Sequence, residues 1–138
     1  MKILAHGNDD LINSWTLANF GVRNFNSDMA LGIIEGPKLV GSVYFHAYNG
    51  FDIELSYFGP QTMTRGLWKQ ICRVALDTFG VSRITARTQK TNKQMTRGIH
   101  KLGFVYEGIR HNAYGNEDAV MYGLYGRNLA RLAGRPMQ

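Results

Sequence analysis

The chain has 138 residues, 44% hydrophobic and 12% aromatic, enough to bury a core and too apolar for an intrinsically disordered chain. Its formal charge is +6, which favours a phosphorylated cofactor, nucleic acid or another anionic partner, while no apolar run approaches the roughly 18 residues of a membrane span. A single cysteine, Cys72, excludes an internal disulfide and fits a reducing compartment, and the apolar run at the N-terminus is too short for a signal peptide; the expectation is one cytoplasmic domain over residues 1–138.

Residues 8–20, NDDLINSWTLANF, predict a helix capped by Asn8 or Asp9, with Leu11, Trp15 and Ala18 on its inner face. A loop follows over 21–28. MALGIIE predicts a strand, GPK a turn and LVGSVYFHAY a longer strand. Asn49–Gly50 signals a hairpin, because both residue types tolerate positive φ. In FDIELSYF, alternation puts Phe51, Ile53, Leu55 and Tyr57 on one face and Asp52, Glu54 and Ser56 on the other. These three strands form an antiparallel meander.

From Gly66 to Phe79 the period becomes helical, with Leu67, Ile71, Val74 and Ala75 in one stripe that Trp68, Cys72 and Phe79 widen. SRITART predicts the next strand. Residues 92–102 then predict a helix of about three turns, with Thr91 and Gln94 as a capping box. Met95, Ile99 and Leu102 form its apolar face, and Gly103 sits where a left-handed helix end favours glycine. FVYEGIRH and DAVMYGLYG are two further strands joined by NAYGNE. The fold class is α/β of the mixed α+β kind, with one central sheet of six or seven strands flanked by helices. The strand–helix–strand unit from Phe51 to Thr88 makes part of that sheet parallel.

The joint FGPQTMTRGLW runs from strand through a polar loop into a helix start. Backbone N–H groups at such a start lack partners, and the helix dipole favours an anion there. Arg65 and two threonines add donors, and Gly66 lets the backbone come close to a phosphate. Further on, Lys93, Arg97, Lys101 and Arg110 fall within twenty residues of a helix-to-strand joint, a solvated face or a surface for an anionic cofactor.

Taken together, TRGLWKQ, GVSRITART, the helix-opening Asn92, HKLGFVYEGIRH and DAVMYGLY resemble the GNAT superfamily of N-acetyltransferases, from about Phe51 to Tyr125. KLGFVYEGIR is the most specific segment. It resembles the branch of ribosomal-protein N-terminal acetyltransferases and small, partly phage-encoded relatives. The resemblance implies acetyl-coenzyme A (acetyl-CoA) as acetyl donor. In that family the strand before the loop splays from the next one, the pantetheine lies in the gap, and loop amides hold the pyrophosphate. The corresponding positions here are Ser56, Tyr57 and Phe58 at the strand end, then Met63, Thr64, Arg65, Gly66, Leu67 and Trp68 along the loop and helix start. Asn92 stands where the family commonly has an asparagine near the pantetheine arm.

Two departures stand out. The family's loop pattern, an arginine or glutamine, two residues, a glycine, one residue, then glycine or alanine, is met in neither of two registers: counted from Pro60, Met63 takes the first place, Gly66 the glycine and Trp68 the last, and counted from Gln61, Thr64 replaces the first glycine and Gly66 is the last. Many relatives also carry a tyrosine that protonates the leaving thiolate, four residues before the glycine of GF, where this chain has Ile99.

Transfer to an amine needs the neutral form, and a lysine-like amine of pKa about 10.4 is only roughly 0.1% neutral near pH 7.4. A base therefore helps. Glu54, on the strand bordering the cleft, is the first candidate and Glu107 the second. His46 alternates with Tyr44 on a strand, as a surface residue or an acceptor contact. Tyr106, Tyr114 and Tyr122 are candidate acids. Cys72 reads as core, and the four histidines show no metal-ligand spacing. The expected function is direct acetyl transfer from acetyl-CoA to a primary amine on a small molecule, peptide or protein, with tRNA and a second copy of the chain as further candidate partners and no membrane partner. The alternatives are a toxin-like acetyltransferase of aminoacyl-tRNA, and a non-catalytic module binding acyl-CoA or nucleic acid.

Overall fold

A computed structural model of the chain describes residues 1–23, 26–59 and 64–135. Among these residues seven strands build one sheet: β1 (Lys2–His6), β2 (Met29–Glu35), β3 (Lys38–His46), β4 (Asp52–Phe58), β5 (Arg83–Gln89), β6 (Val105–Arg110) and β7 (Ala119–Tyr125). The order across the sheet is β1-β2-β3-β4-β5-β7-β6. Neighbours are antiparallel except β4 and β5, the parallel pair that the strand–helix–strand unit requires. The helices are α1 (Asp9–Phe20), α2 (Arg65–Phe79), α3 (Lys93–Gly98) and α4 (Gly126–Ala133).

The main core lies on one sheet face. Leu67, Trp68, Ile71, Cys72 and Ala75 give α2 a stripe at helical spacing, and they pack with Ile53, Leu55, Ile84 and Ala86 of the central strands. Leu129, Leu132 and Ala133 of α4 join the same cluster. Burying one such aliphatic side chain contributes about 1.5–3 kcal/mol. Arg73 ties the two helices together: its Nε donates to the Ala133 carbonyl at 2.8 Å, at the α4 C-terminus where a cation is favoured.

On the opposite face α1 covers β2 and β3. Ile12 packs with Ala30 and Tyr44, and Thr16 is buried beside them. The Thr16 hydroxyl donates to the Ile12 carbonyl at 2.9 Å and lies 2.7 Å from Ser42 Oγ and 2.9 Å from the Tyr44 hydroxyl. The helix thus buries Ile12 and Thr16, not the expected Leu11, Trp15 and Ala18; Leu11 is 62% exposed. A buried hydroxyl with partners at hydrogen-bond distance replaces the apolar contact that hydropathy alone anticipates.

Other expectations change in detail. β3 ends at His46 instead of Tyr48, and a five-residue loop, 47–51, replaces a tight Asn–Gly turn. Ala47 and Gly50 take positive φ there, while Asn49 Oδ1 accepts from the N–H groups of Phe51 and Asp52. Phe51 stays 72% exposed in that loop instead of lying on the inner face. The helix over 92–102 is two pieces, α3 and a 3₁₀ turn, Ile99–Leu102. Its cap is Asn92, whose Oδ1 accepts from the Met95 N–H at 3.2 Å. Thr91 instead donates its hydroxyl to Glu117. Gly103 takes the left-handed end as expected, at φ 104°. β1 and α4 were not anticipated.

The uncovered part of the α1 face is polar. Arg83 lies 3.5 Å from Asp52 on β4 and pairs with Glu107 on β6, on the far side of β7. The guanidinium passes over Gly123 of β7, where a Cβ would overlap both Arg83 and Glu107. Thr85 completes the cluster by donating to the Asp52 carboxylate at 2.9 Å.

Candidate functional site

Pairing between β4 and β5 runs from Asp52↔Arg83 to Leu55↔Ala86 and stops, although β4 continues to Phe58 and β5 to Gln89. Each strand is held on its other edge, β4 through Ser42↔Phe58 and β5 through Gln89↔Ala119, so the two diverge without fraying. A cleft of about 370 Å³ opens in the divergence, inside the size range of small-molecule sites. Ser56, Tyr57 and Phe58 line one side and Arg87, Thr88 and Asn92 the other. Four of the expected binding residues, Ser56, Tyr57, Phe58 and Asn92, therefore meet at one place.

The loop before α2 is described only from Thr64, and Met63 lies outside the described residues. Thr64 caps α2, its Oγ1 accepting from the Leu67 N–H at 3.2 Å. Arg65 and Gly66 are exposed at the helix start, where the first N–H groups have no intrahelical acceptor. Leu67 and Trp68 are 3% and 7% exposed and pack in the core, where Trp68 also lines a small pocket with Leu55, Tyr57, Ala86 and Arg87 between β4 and β5. A Cβ at Gly66 would meet nothing nearer than Thr64 Oγ1 at 3.9 Å; packing within the chain does not demand glycine there. Arg65 Nη1 donates to the Lys101 carbonyl at 3.4 Å, bringing the α2 start beside the 3₁₀ turn.

On the polar face next to the cleft, three side chains form a line. Glu54 Oε2 lies 3.3 Å from His46 Nδ1, and His46 Nε2 lies 2.8 Å from Ser56 Oγ. The register makes this possible: His46 faces Glu54 across the β3–β4 ladder, and Ser56 is one alternation further along β4. His46 and Glu54 side chains are 15% and 19% exposed, so His46 is not the plain surface residue its sequence context suggested. Desolvation by burial is the largest influence on His46 and lowers its pKa below the ordinary value, against the opposing pull of Glu54. Arg110 Nη2 stands 4.0 Å from the other Glu54 oxygen.

Glu107, the second candidate base, is engaged with Arg83. It does not line the cleft. Ile99 is 4% exposed and packs in the core, so the usual tyrosine position cannot supply an acid here. Of the three candidate tyrosines, Tyr122 is buried against His100 and Tyr106. Tyr106 is 53% exposed. Tyr114 lines the cleft, with the Arg87 guanidinium 5.6 Å above its ring. Burial raises the Tyr114 pKa, an effect that Arg87 partly opposes. Sequence reasoning passed over Arg87 altogether; its alternation with Thr85 on β5 was the available signal.

No family model and no curated protein matches the sequence. Solved structures do match the fold. Spermidine/spermine N-acetyltransferase SpeG from Vibrio cholerae aligns with 98% of this chain and 97% of its own, at 13% identity and a TM-score of 0.75. A GCN5-related N-acetyltransferase from Brucella melitensis aligns over 80% of this chain at 19% identity and a TM-score of 0.63, and an acetyltransferase of the GNAT family from Bacillus anthracis over 70% at 18% and 0.58. The chain spans 57% of the Brucella protein's length and 65% of the Bacillus protein's. At these identities the likeness establishes the fold: this is the mixed α/β architecture of GNAT acetyltransferases.

Proposed function

We propose that the protein is an acetyl-CoA-dependent N-acetyltransferase that transfers acetyl directly to a primary amine. The observation that carries this reading is the divergence of β4 and β5 into a cleft of about 370 Å³ on a GNAT-type fold, with the start of α2 and Asn92 on the adjoining helices. The residues present fit the donor. Backbone N–H groups at Arg65 and Gly66 with the Arg65 guanidinium suit a pyrophosphate. Asn92 and the β4 segment Ser56–Phe58 suit an amide-bearing arm. The bound donor supplies an activated acetyl thioester. Ser56 gives the cleft a contact to His46 and, behind it, Glu54 on the adjacent polar face, and Tyr114 offers a proton for the leaving sulfur. The setting proposed is the cytoplasm.

A second reading narrows the acceptor. Arg87 lines the cleft and Arg110 flanks Glu54, which suits an amine attached to an anion better than a polycation. An aminoacyl-tRNA is such an amine. Thiol release from acetyl-CoA, measured with spermidine, a lysine-containing peptide and aminoacyl-tRNA, tests both readings. Release with any of them above the no-acceptor rate is expected. Failure of calorimetry to detect acetyl-CoA binding would overturn the enzyme reading, and a preference for spermidine would overturn the second.

A further inference from the structure

We infer that Ser56, His46 and Glu54 form a proton relay, in which Ser56 receives the proton of the attacking amine, His46 accepts the Ser56 proton, and Glu54 holds His46 in place. This deepens the proposed acetyltransferase reading and rests on it. It assigns the base to a histidine that reaches the cleft through a serine, and makes Glu54 a positioning residue.

The geometry orders the roles. Ser56 is the member that lines the cleft. Its Oγ sits 2.8 Å from His46 Nε2, inside hydrogen-bond reach, and Glu54 sits 3.3 Å from the other ring nitrogen. A carboxylate on Nδ1 favours the tautomer with the proton on Nδ1, which leaves Nε2 to accept from the serine hydroxyl. The same logic orients histidine in serine hydrolases, where a carboxylate stabilises the imidazolium that forms.

The step balances as follows. The amine nitrogen bonds to the acetyl carbonyl carbon and the carbon–sulfur bond breaks. One amine proton passes to Ser56 Oγ while the Ser56 proton passes to His46 Nε2. The thiolate leaves and takes a proton from Tyr114, which solvent reprotonates, or from water directly. His46 then returns its proton to solvent.

The charged groups around His46 come from several elements. Glu54 stands on β4, Arg87 on β5 and Asp28 just before β2, with Arg110 of β6 beyond Glu54. Burial is the largest influence and keeps the imidazole neutral at neutral pH. Activity that depends on neutral His46 is retained at neutral pH and falls as the medium becomes acidic, at a break below the ordinary histidine value of about 6.5. The ionisation of the amine adds its own dependence, which variants of His46 leave in place.

Two measurements decide the matter. The first needs no turnover: nitrogen-15 NMR of the histidine rings in the free protein, assigned with His46→Gln. The relay requires the Nδ1–H tautomer for His46, weakened in Glu54→Gln. The second follows pH profiles of kcat/KM for the best amine of the panel above, at saturating acetyl-CoA, in wild type, His46→Gln, Ser56→Ala and Glu54→Gln. His46→Gln and Ser56→Ala are expected to lower turnover about 100- to 10,000-fold. The acidic break is expected to disappear in His46→Gln, with acetyl-CoA affinity unchanged. An Nε2–H tautomer, or full turnover with the break intact in His46→Gln, overturns the relay while the acetyltransferase reading stands. Absence of acetyl-CoA binding in the wild type overturns both.

Discussion

Tyr114 reaches the cleft from the connection between β6 and β7, whereas Ile99 is sealed into the core from the helix where many GNAT proteins carry their acid. Burial raises the Tyr114 phenol above its ordinary value of about 10, so it keeps a proton to give across the neutral range. Tyr114→Phe is expected to lower kcat about 100-fold, the weaker end of general acid catalysis because a thiolate is a tolerable leaving group. Acetyl-CoA affinity should hold, as steady-state kinetics beside calorimetry would show; unchanged kcat would assign the proton to solvent. Alternation along β4 made Glu54 and Ser56 legible in the sequence. His46 was legible only as an alternating strand residue. Its partnership with both depends on the β3–β4 register, and a one-residue slip would turn it to the other face. Tyr114 sits in a turn, where no period marks which side chain points inward.

Among the elements, α2 was the most legible, because five buried residues at helical spacing follow a capping threonine. β1 gave little signal: it is five residues long, pairs among the described residues with β2 alone and is buried irregularly. α4 begins directly after β7, with Tyr125 in the cap position and no side-chain cap bond. Leu129, Leu132 and Ala133 were its only clue. In α1 the true stripe was hidden because a threonine occupies it. α3 shows one residue serving two ends. Asn92 caps the helix through Oδ1 and also lines the cleft. Asn92→Asp should keep the cap but put a carboxylate beside the donor's arm, leaving Tm near wild type and weakening acetyl-CoA binding. Asn92→Ala should lose about 1 kcal/mol of stability as well. Thermal melts and calorimetry on the pair separate capping from binding, and equal affinity in all three proteins would remove Asn92 from the donor site.

At the level of the whole molecule the sheet divides its labour by face. One side holds the core with α2 and α4, and the other shares its area between α1 and a polar field that holds the relay and the Asp52–Arg83–Glu107 cluster. That cluster links β4, β5 and β6 through one guanidinium. Its side chains are about a third exposed, so the Arg83–Glu107 pair itself contributes about 1 kcal/mol or less. Gly123→Val would displace the pair from the surface of β7, and is expected to lower Tm by a few degrees while leaving acetyl-CoA affinity intact. A melt equal to wild type would mean the two side chains find another path. Gly123 has none of the left-handed backbone that usually explains a glycine; it is a strand residue kept bare so that others can cross it. Its freedom to vary is thus conditional on distant letters of the sequence. A lineage that first loses the charge at 83 or 107 opens position 123 to larger residues, and one that first enlarges 123 closes the crossing for good.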